Sequence, residues 1–210
     1  MKSIRLLMVL IIAFLSASEL QAQNKDNRWA IFIGANAVDF YPAGSGTQDD
    51  LWSKNALGGL LETKRWNYVE SLSQVNIGRY LGSGFSIKAD FAISRLEQIG
   101  DINLPSEVNG KSIPKDASFI SIDTEVVYSF KEDFNSKWFD PYLGVGPGYY
   151  FLDEDGVFSA NLSGGFNFWF TDRIALTIET TYKNSFEDNE LDLFQHSGGI
   201  TVLFGGTKSD

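Results

Sequence analysis

The segment RIALTIETTYK (Arg173–Lys183) decides the fold. Ile174, Leu176, Ile178, Thr180 and Tyr182 fall on one side of an extended chain, and Ala175, Thr177, Glu179, Thr181 and Lys183 on the other. Successive side chains of a strand point to opposite faces, so this period of two predicts a strand with one greasy and one charged face. VFSANLSGGFNFWF (157–170) repeats the pattern, setting Phe158, Ala160, Leu162, Phe166 and Phe168 against Ser159, Asn161, Ser163 and Asn167. The alternation continues in WAIFIGANAV (29–38), SLSQVNIGRYL (71–81), FSIKADFAIS (85–94), FISIDTEVVYSF (119–130), PYLGVGPGYYF (141–151) and QHSGGITVLF (195–204). Together these make eight strands, and charge recurs on the face that excludes Phe and Ile.

Two architectures give a sheet such faces. A soluble sandwich or barrel buries the apolar side, whereas a membrane barrel turns it to lipid and keeps a polar lumen. The connections favour the second. Strands two and three are joined by GSG (82–84), strands six and seven by TDR (171–173) and strands four and five by KEDFNSKWFD (131–140), while the connections after odd-numbered strands are mostly longer, Asp39 to Asn67, Leu96 to Ala117 and Ser185 to Phe194, with DEDG (153–156) the brief one among them. Short turns at one rim and longer loops at the other are the parity of an up-and-down barrel. Aromatic residues collect at the strand ends in two groups. Trp29, Tyr80, Phe85, Tyr128, Trp138, Phe168 and Phe204 lie toward the short-turn rim, and Tyr41, Trp66, Tyr149, Phe158 and Tyr182 toward the other. Two aromatic belts are expected at two membrane interfaces.

The first residues read differently. MKSIRLLMVLIIAFLSASELQAQ carries Lys2 and Arg5, an apolar run to Leu15, then small and polar residues. This is the layout of a secretory signal peptide, assigned here to 1–22, with the barrel over 24–206 and a short periplasmic tail at 207–210. With 17 Lys+Arg against 27 Asp+Glu, the net charge of −10 argues against a nucleic-acid partner. The absence of cysteine excludes disulfides, thiolate metal sites and a cysteine nucleophile.

NRWAIFIGANAVDFYPAG, RWNYVESLSQVNIGRYL, FDPYLGVGPGYYFLDEDG and GGFNFWFTDRIALTIETTYKNSFEDNELDLFQHSGGITVLFGG resemble, in order, the N-terminal barrel of the OmpA-like outer-membrane proteins of the Bacteroidetes group. The resemblance implies an all-β, eight-stranded antiparallel transmembrane barrel in the outer membrane of a Gram-negative bacterium, both termini in the periplasm. Fuller members continue into a peptidoglycan-binding domain. Here GGTKSD ends the chain, so no such domain is expected and the anchoring role is not carried over.

The candidate sites follow from the barrel frame. Lys88, Asp90, Asp123, Glu125, Glu179 and Lys183 should face the lumen. Charges isolated in a narrow barrel are costly, so they are expected to pair with one another and with Asn161, Asn167 and water, as a plug rather than a pore. In the last strand Ser197, Gly199, Val202 and Phe204 form a pattern resembling the C-terminal signal by which outer-membrane barrels are recognised for insertion. His196 is the only histidine and adjoins Ser197, but neighbours on a strand point apart, so no catalytic pair is expected. DEDG (153–156) is too short for a calcium loop, and Asp49 or Asp50 could cap a short helix in the first loop. No metal or cofactor is expected. The expected partners are outer-membrane lipid, lipopolysaccharide and the barrel-assembly machinery. Three functions stay open: a non-enzymatic structural barrel with envelope and surface-contact roles, a small porin-like channel, and an exported soluble barrel holding a hydrophobic ligand.

Overall fold

The computed structural model describes residues 27–40, 63–100, 102–108, 111–153, 155–186 and 191–205. Eight long strands form the wall: β1 (Trp29–Asp39), β2 (Gln74–Gly82), β3 (Phe85–Leu96), β4 (Ala117–Ser129), β5 (Phe139–Leu152), β6 (Asp155–Trp169), β7 (Ile174–Ser185) and β8 (Leu193–Phe204). Each pairs antiparallel with the next, and β8 returns to β1 without a break, from Trp29 opposite Phe204 to Asp39 opposite Phe194. The sheet therefore has no edge at this seam, and every strand is bonded on both sides. The tightest turn uses glycine where the backbone needs it: Gly82, Ser83 and Gly84 all have positive φ (126°, 50° and 80°). The expected helix cap at Asp49 or Asp50 lies outside the described residues.

Strand parity sorts the faces. Ile33, Ile77, Ile87, Phe91, Ile122, Val145, Leu162, Phe166, Ile178 and Ile200 point outward and stay exposed. Monomeric soluble proteins do not wrap themselves in apolar side chains on this scale. Aromatic contacts mark both rims: Trp29 with Phe204 (6.5 Å), Phe85 with Tyr128 (4.8 Å) and Trp138 with Phe168 (6.3 Å) near the short turns, Tyr149 with Phe158 (4.6 Å) and Tyr182 with Phe194 (5.0 Å) near the loops. Tyr80 departs from the expected belt. It shares strand parity with Gln74, Asn76 and Gly78 and lines the lumen instead.

The long-loop end is closed by an apolar core that the sequence pattern did not announce. The connection from β3 to β4 folds into two small hairpins, Gln98–Ile99 with Ile102–Asn103 and Ser106–Val108 with Lys111–Ile113. They carry Ile99, Leu104, Val108 and Ile113 onto Val38, Phe40, Leu96, Phe119, Tyr150, Leu152, Val157 and Leu193 from the barrel wall. Burial of these side chains holds the cap down, because apolar area removed from water is the main favourable term available to a loop.

Two asparagines stitch the wall where β2 leaves it. Asn36 donates to the carbonyls of Ser73 (3.0 Å) and Ile93 (2.9 Å), bridging β1 to β3. Asn67, in the two-residue strand Asn67–Tyr68 beside β1, donates to Val38 O (3.1 Å) and Gln98 O (2.9 Å) and accepts from the amides of Glu97 (2.8 Å) and Gln98 (3.0 Å). Losing a buried multiple acceptor strands its donors, at about 1–3 kcal/mol per group. Asn67→Ala should therefore raise amide exchange at Glu97 and Gln98 by tenfold or more, while the barrel keeps its heat-dependent gel shift. Unchanged exchange at those amides would rule out the stitching role.

Candidate functional site

The lumen is where the chain concentrates its polar chemistry. Three glycines on β5 open the space for it. A Cβ on Gly144 would lie 2.3 Å from Ser163 Oγ, one on Gly146 would lie 1.9 Å from Thr124 O, and one on Gly148 would lie 2.3 Å from Asp123 Oδ1. At Gly144 and Gly148 the GVGPG run thus lets side chains of β4 and β6 occupy room that β5 leaves vacant, and at Gly146 it lets the β4 backbone itself approach.

The structure places all six lumen charges anticipated from strand parity on the inner face, each at 9% exposure or less. Lys88 Nζ lies 2.6 Å from Glu179 Oε2 and 3.1 Å from Glu125 Oε2. Tyr142 donates to the same Glu179 oxygen at 2.8 Å, and Ser163 to Glu125 at 2.7 Å. Toward the loops, Lys183 pairs with Asp123, which also accepts from Asn161 Nδ2 at 2.8 Å. Asp90 is the exception: among the described residues its one hydrogen bond is from Gln74 Nε2, at 2.8 Å. Asn167 does not reach these charges. It donates to Asp140 at 3.1 Å and accepts from Thr177 at 2.7 Å, nearer the short turns.

Below Lys88 and Glu179 a cavity of about 110 Å³ faces the short-turn rim, lined in part by Tyr80, Tyr142, Asn76, Thr201 and Trp169. Lys131, in the turn between β4 and β5, holds its ammonium 5.1 Å from the centre of the Trp169 ring. Burial lowers its pKa to about 8, against the opposing pull of Asp140 and Asp172. From that rim inward the lumen thus runs from vestibule to ion-paired layers, and then to the apolar cap.

The other anticipated positions separate. Ser197 and Gly199 face inward, opposite Glu179 and Thr177 on β7, while Val202 and Phe204 face outward and are 37% and 41% exposed. His196 also points outward, away from Ser197, and bonds Thr180 through Nδ1 at 3.0 Å. Although it is on the outer face, it is buried, because Trp66 stacks over it at 4.7 Å. Asp192 is more than a solvated loop charge: it accepts from Tyr182, Asn184 and the Ser185 amide and so ties the β7–β8 loop to the wall. Among the described residues no cluster of three or more His, Cys, Asp or Glu is arranged to hold a metal, and no helix is long and apolar enough to cross a membrane.

Known proteins share this architecture. The barrel is similar to the outer membrane protein OprG from Pseudomonas aeruginosa (TM-score 0.53, 12% identity, covering 87% of this chain and 98% of that one). It is likewise similar to Neisserial surface protein A (TM-score 0.50, 11% identity, covering 86% and 98%). At such identities the likeness speaks for the fold alone. No curated protein matches the chain significantly. The profile of the outer membrane protein beta-barrel domain matches residues 7–204. With that match over nearly its whole length and a closed eight-stranded wall clad in apolar side chains, the chain belongs to the outer membrane protein beta-barrel domain family.

Proposed function

We propose that this outer-membrane barrel is a non-enzymatic, non-conducting structural protein that supports envelope integrity and presents its long-loop rim for surface contacts. The observation that carries this reading is the double closure of the lumen: the Lys88–Glu125–Glu179 and Lys183–Asp123 layers, then the cap built on Phe119, Tyr150 and Leu193. Narrow eight-stranded barrels have interiors that side chains can fill. In this reading residues 1–22 are an export leader and both termini and the short-turn rim lie in the periplasm. The loop rim, with exposed Tyr68, Leu72 and Phe186, meets lipopolysaccharide and the cell exterior. Ser197, Gly199, Val202 and Phe204 serve the barrel-assembly machinery as an insertion pattern.

Planar-bilayer recording on the purified chain is the direct test. The expected result is no steady unitary current above the lipid background. Sizeable, long-lived unitary openings would overturn the closed-lumen reading in favour of a small channel, for which the vestibule would be the mouth. The third possibility, a soluble carrier of a hydrophobic ligand, is disfavoured by the placement of apolar side chains outside and charges inside. Recovery of the protein from the soluble periplasm without detergent would restore it.

A further inference from the structure

The turn between β4 and β5 folds a lysine inward. The Phe130 amide donates to Pro141 O (2.9 Å) and the Phe134 amide to Phe130 O (3.0 Å), while Asn135 takes a positive φ of 46°. Lys131 is fixed from both sides: its amide donates to Ser129 Oγ (3.3 Å) and its carbonyl accepts from the Ser136 amide (3.2 Å). Its side chain therefore enters the vestibule, at 7% exposure. The other lysines fall into two kinds. Lys64, Lys115 and Lys137 are exposed, whereas Lys88 and Lys183 are buried and ion-paired. Lys131 belongs to neither, because its Nζ is buried without a hydrogen-bond partner or an ion pair.

Opposing influences act on that amine. Burial withdraws it from water and lowers its pKa from 10.5 to about 8, outweighing Asp140 and Asp172, which pull the other way. The Trp169 ring, 5.1 Å away, also favours the cation. Asp140 is a weak competitor for the proton, since it already accepts from Ser129, from Asn167 (3.1 Å) and from Trp169 (3.2 Å). Glu132 is exposed, and deeper in the cavity Glu179 is taken by Lys88 and Tyr142. At pH 7.5 about a quarter of the Lys131 side chains are then neutral amine. A desolvated amine with a free lone pair is the form in which lysine acts as a nucleophile.

The space in front of it admits a reactant. The cavity measures about 110 Å³ and has apolar walls at Ala30, Val127 and Leu203. A water needs roughly 10–15 Å³ of such space, so a body of a few carbons fits. We propose that Lys131 is a reactive lysine, a covalent modification site at which small uncharged carbonyl compounds entering from the short-turn rim form an imine. Nζ adds to the carbonyl carbon, its two protons pass to the carbonyl oxygen, and that oxygen leaves as water, so that a C=N bond replaces C=O with no change of oxidation state. Asp140 and Glu132 in the lining disfavour anionic reactants, and the cavity excludes bulky ones. Lys88 lines the same cavity but is held as an ammonium between Glu179 and Glu125, and it does not react. The site does not depend on whether the barrel conducts.

The test treats the detergent-folded full chain with propanal and sodium cyanoborohydride, which fixes the imine as a propylamine, and locates it by peptide mass spectrometry. At pH 7.5 Lys131 should be modified about tenfold faster than Lys64, Lys115 and Lys137, with Lys88 unmodified. The Lys131 rate should rise with a midpoint near pH 8. Boiling the chain, or replacing propanal with pyrenecarboxaldehyde, should abolish the preference. Lys131→Arg should remove the fast site while the heat-dependent gel shift is kept. Equal rates at Lys131 and Lys137, or a preference that survives boiling, overturns the proposal. So does a stronger preference for glyoxylate than for propanal, each measured against Lys137, because Lys131 would then be an ammonium that binds anions.

Discussion

Replacing Lys88 with methionine will lower the unfolding free energy of the barrel by about 3–5 kcal/mol. The ammonium sits between two carboxylates, at 2.6 Å from Glu179 and 3.1 Å from Glu125, with all three side chains at 11% exposure or less. Methionine keeps the length and apolar stem of lysine, so little packing is lost and the effect is electrostatic. What remains is two buried carboxylates with only Tyr142 and Ser163 as donors to the oxygens that Lys88 held. The penalty is that of uncompensated charge, and it exceeds whatever the intact triad adds over an apolar replacement. Urea titration in detergent, scored by the mobility of unboiled protein, measures it. The triple variant Lys88→Met, Glu125→Gln, Glu179→Gln should recover most of the loss, since it removes the charges together. A single-variant cost below about 1 kcal/mol would mean that water screens the triad, and the closed-lumen reading would lose its main support.

The same triad shows what a linear sequence can and cannot tell. That Glu179 and Lys183 face inward follows from parity alone, because Ile178 and Tyr182 must take the other side. That Glu179 meets Lys88 does not follow, since β3 and β7 are not neighbours and only the curvature of the closed wall brings them together. Tyr80 does lie by the short turn, where the Gly84 amide donates to its hydroxyl, but it shares its face with Asn76 and Gly78 and so turns into the lumen rather than the outer belt. The apolar cap was hidden for a different reason. Ile99, Leu104, Val108 and Ile113 follow neither the period of a strand nor that of a helix, and two tight hairpins bring them to one surface. Asn36 and Asn67 looked like ordinary polar residues, because their bonds run to backbone groups of distant strands. Trp66 over His196 depends on where the first loop comes to rest, which no local pattern encodes.

Adjacent glycines on β8 should give opposite outcomes. Gly199→Val is expected to abolish the closed barrel or destabilise it by about 3 kcal/mol or more, whereas Gly198→Val should leave it folded. Gly199 is paired with Gly34 across the β1–β8 seam, and a Cβ there would lie 2.4 Å from Ile33 O and 2.5 Å from Gly34 Cα. Those are backbone atoms of the partner strand, so no rotamer change relieves the contact. The Phe32 ring, buried over the two glycines with one carbon 2.8 Å from that position, blocks the way inward. At Gly198 the added Cβ points outward and meets nothing within 4 Å, and a β-branched side chain on an exposed strand face is favourable. Loss of the heat-dependent gel shift for the first variant and its retention for the second is the expected pair of results. The pair also separates two roles for Gly199. If Gly199→Val folds normally from urea into detergent but fails to accumulate in the outer membrane, the glycine is read by the assembly machinery and the seam tolerates a side chain. Failure in both settings assigns the requirement to the seam itself, where two strands approach too closely for anything but hydrogen.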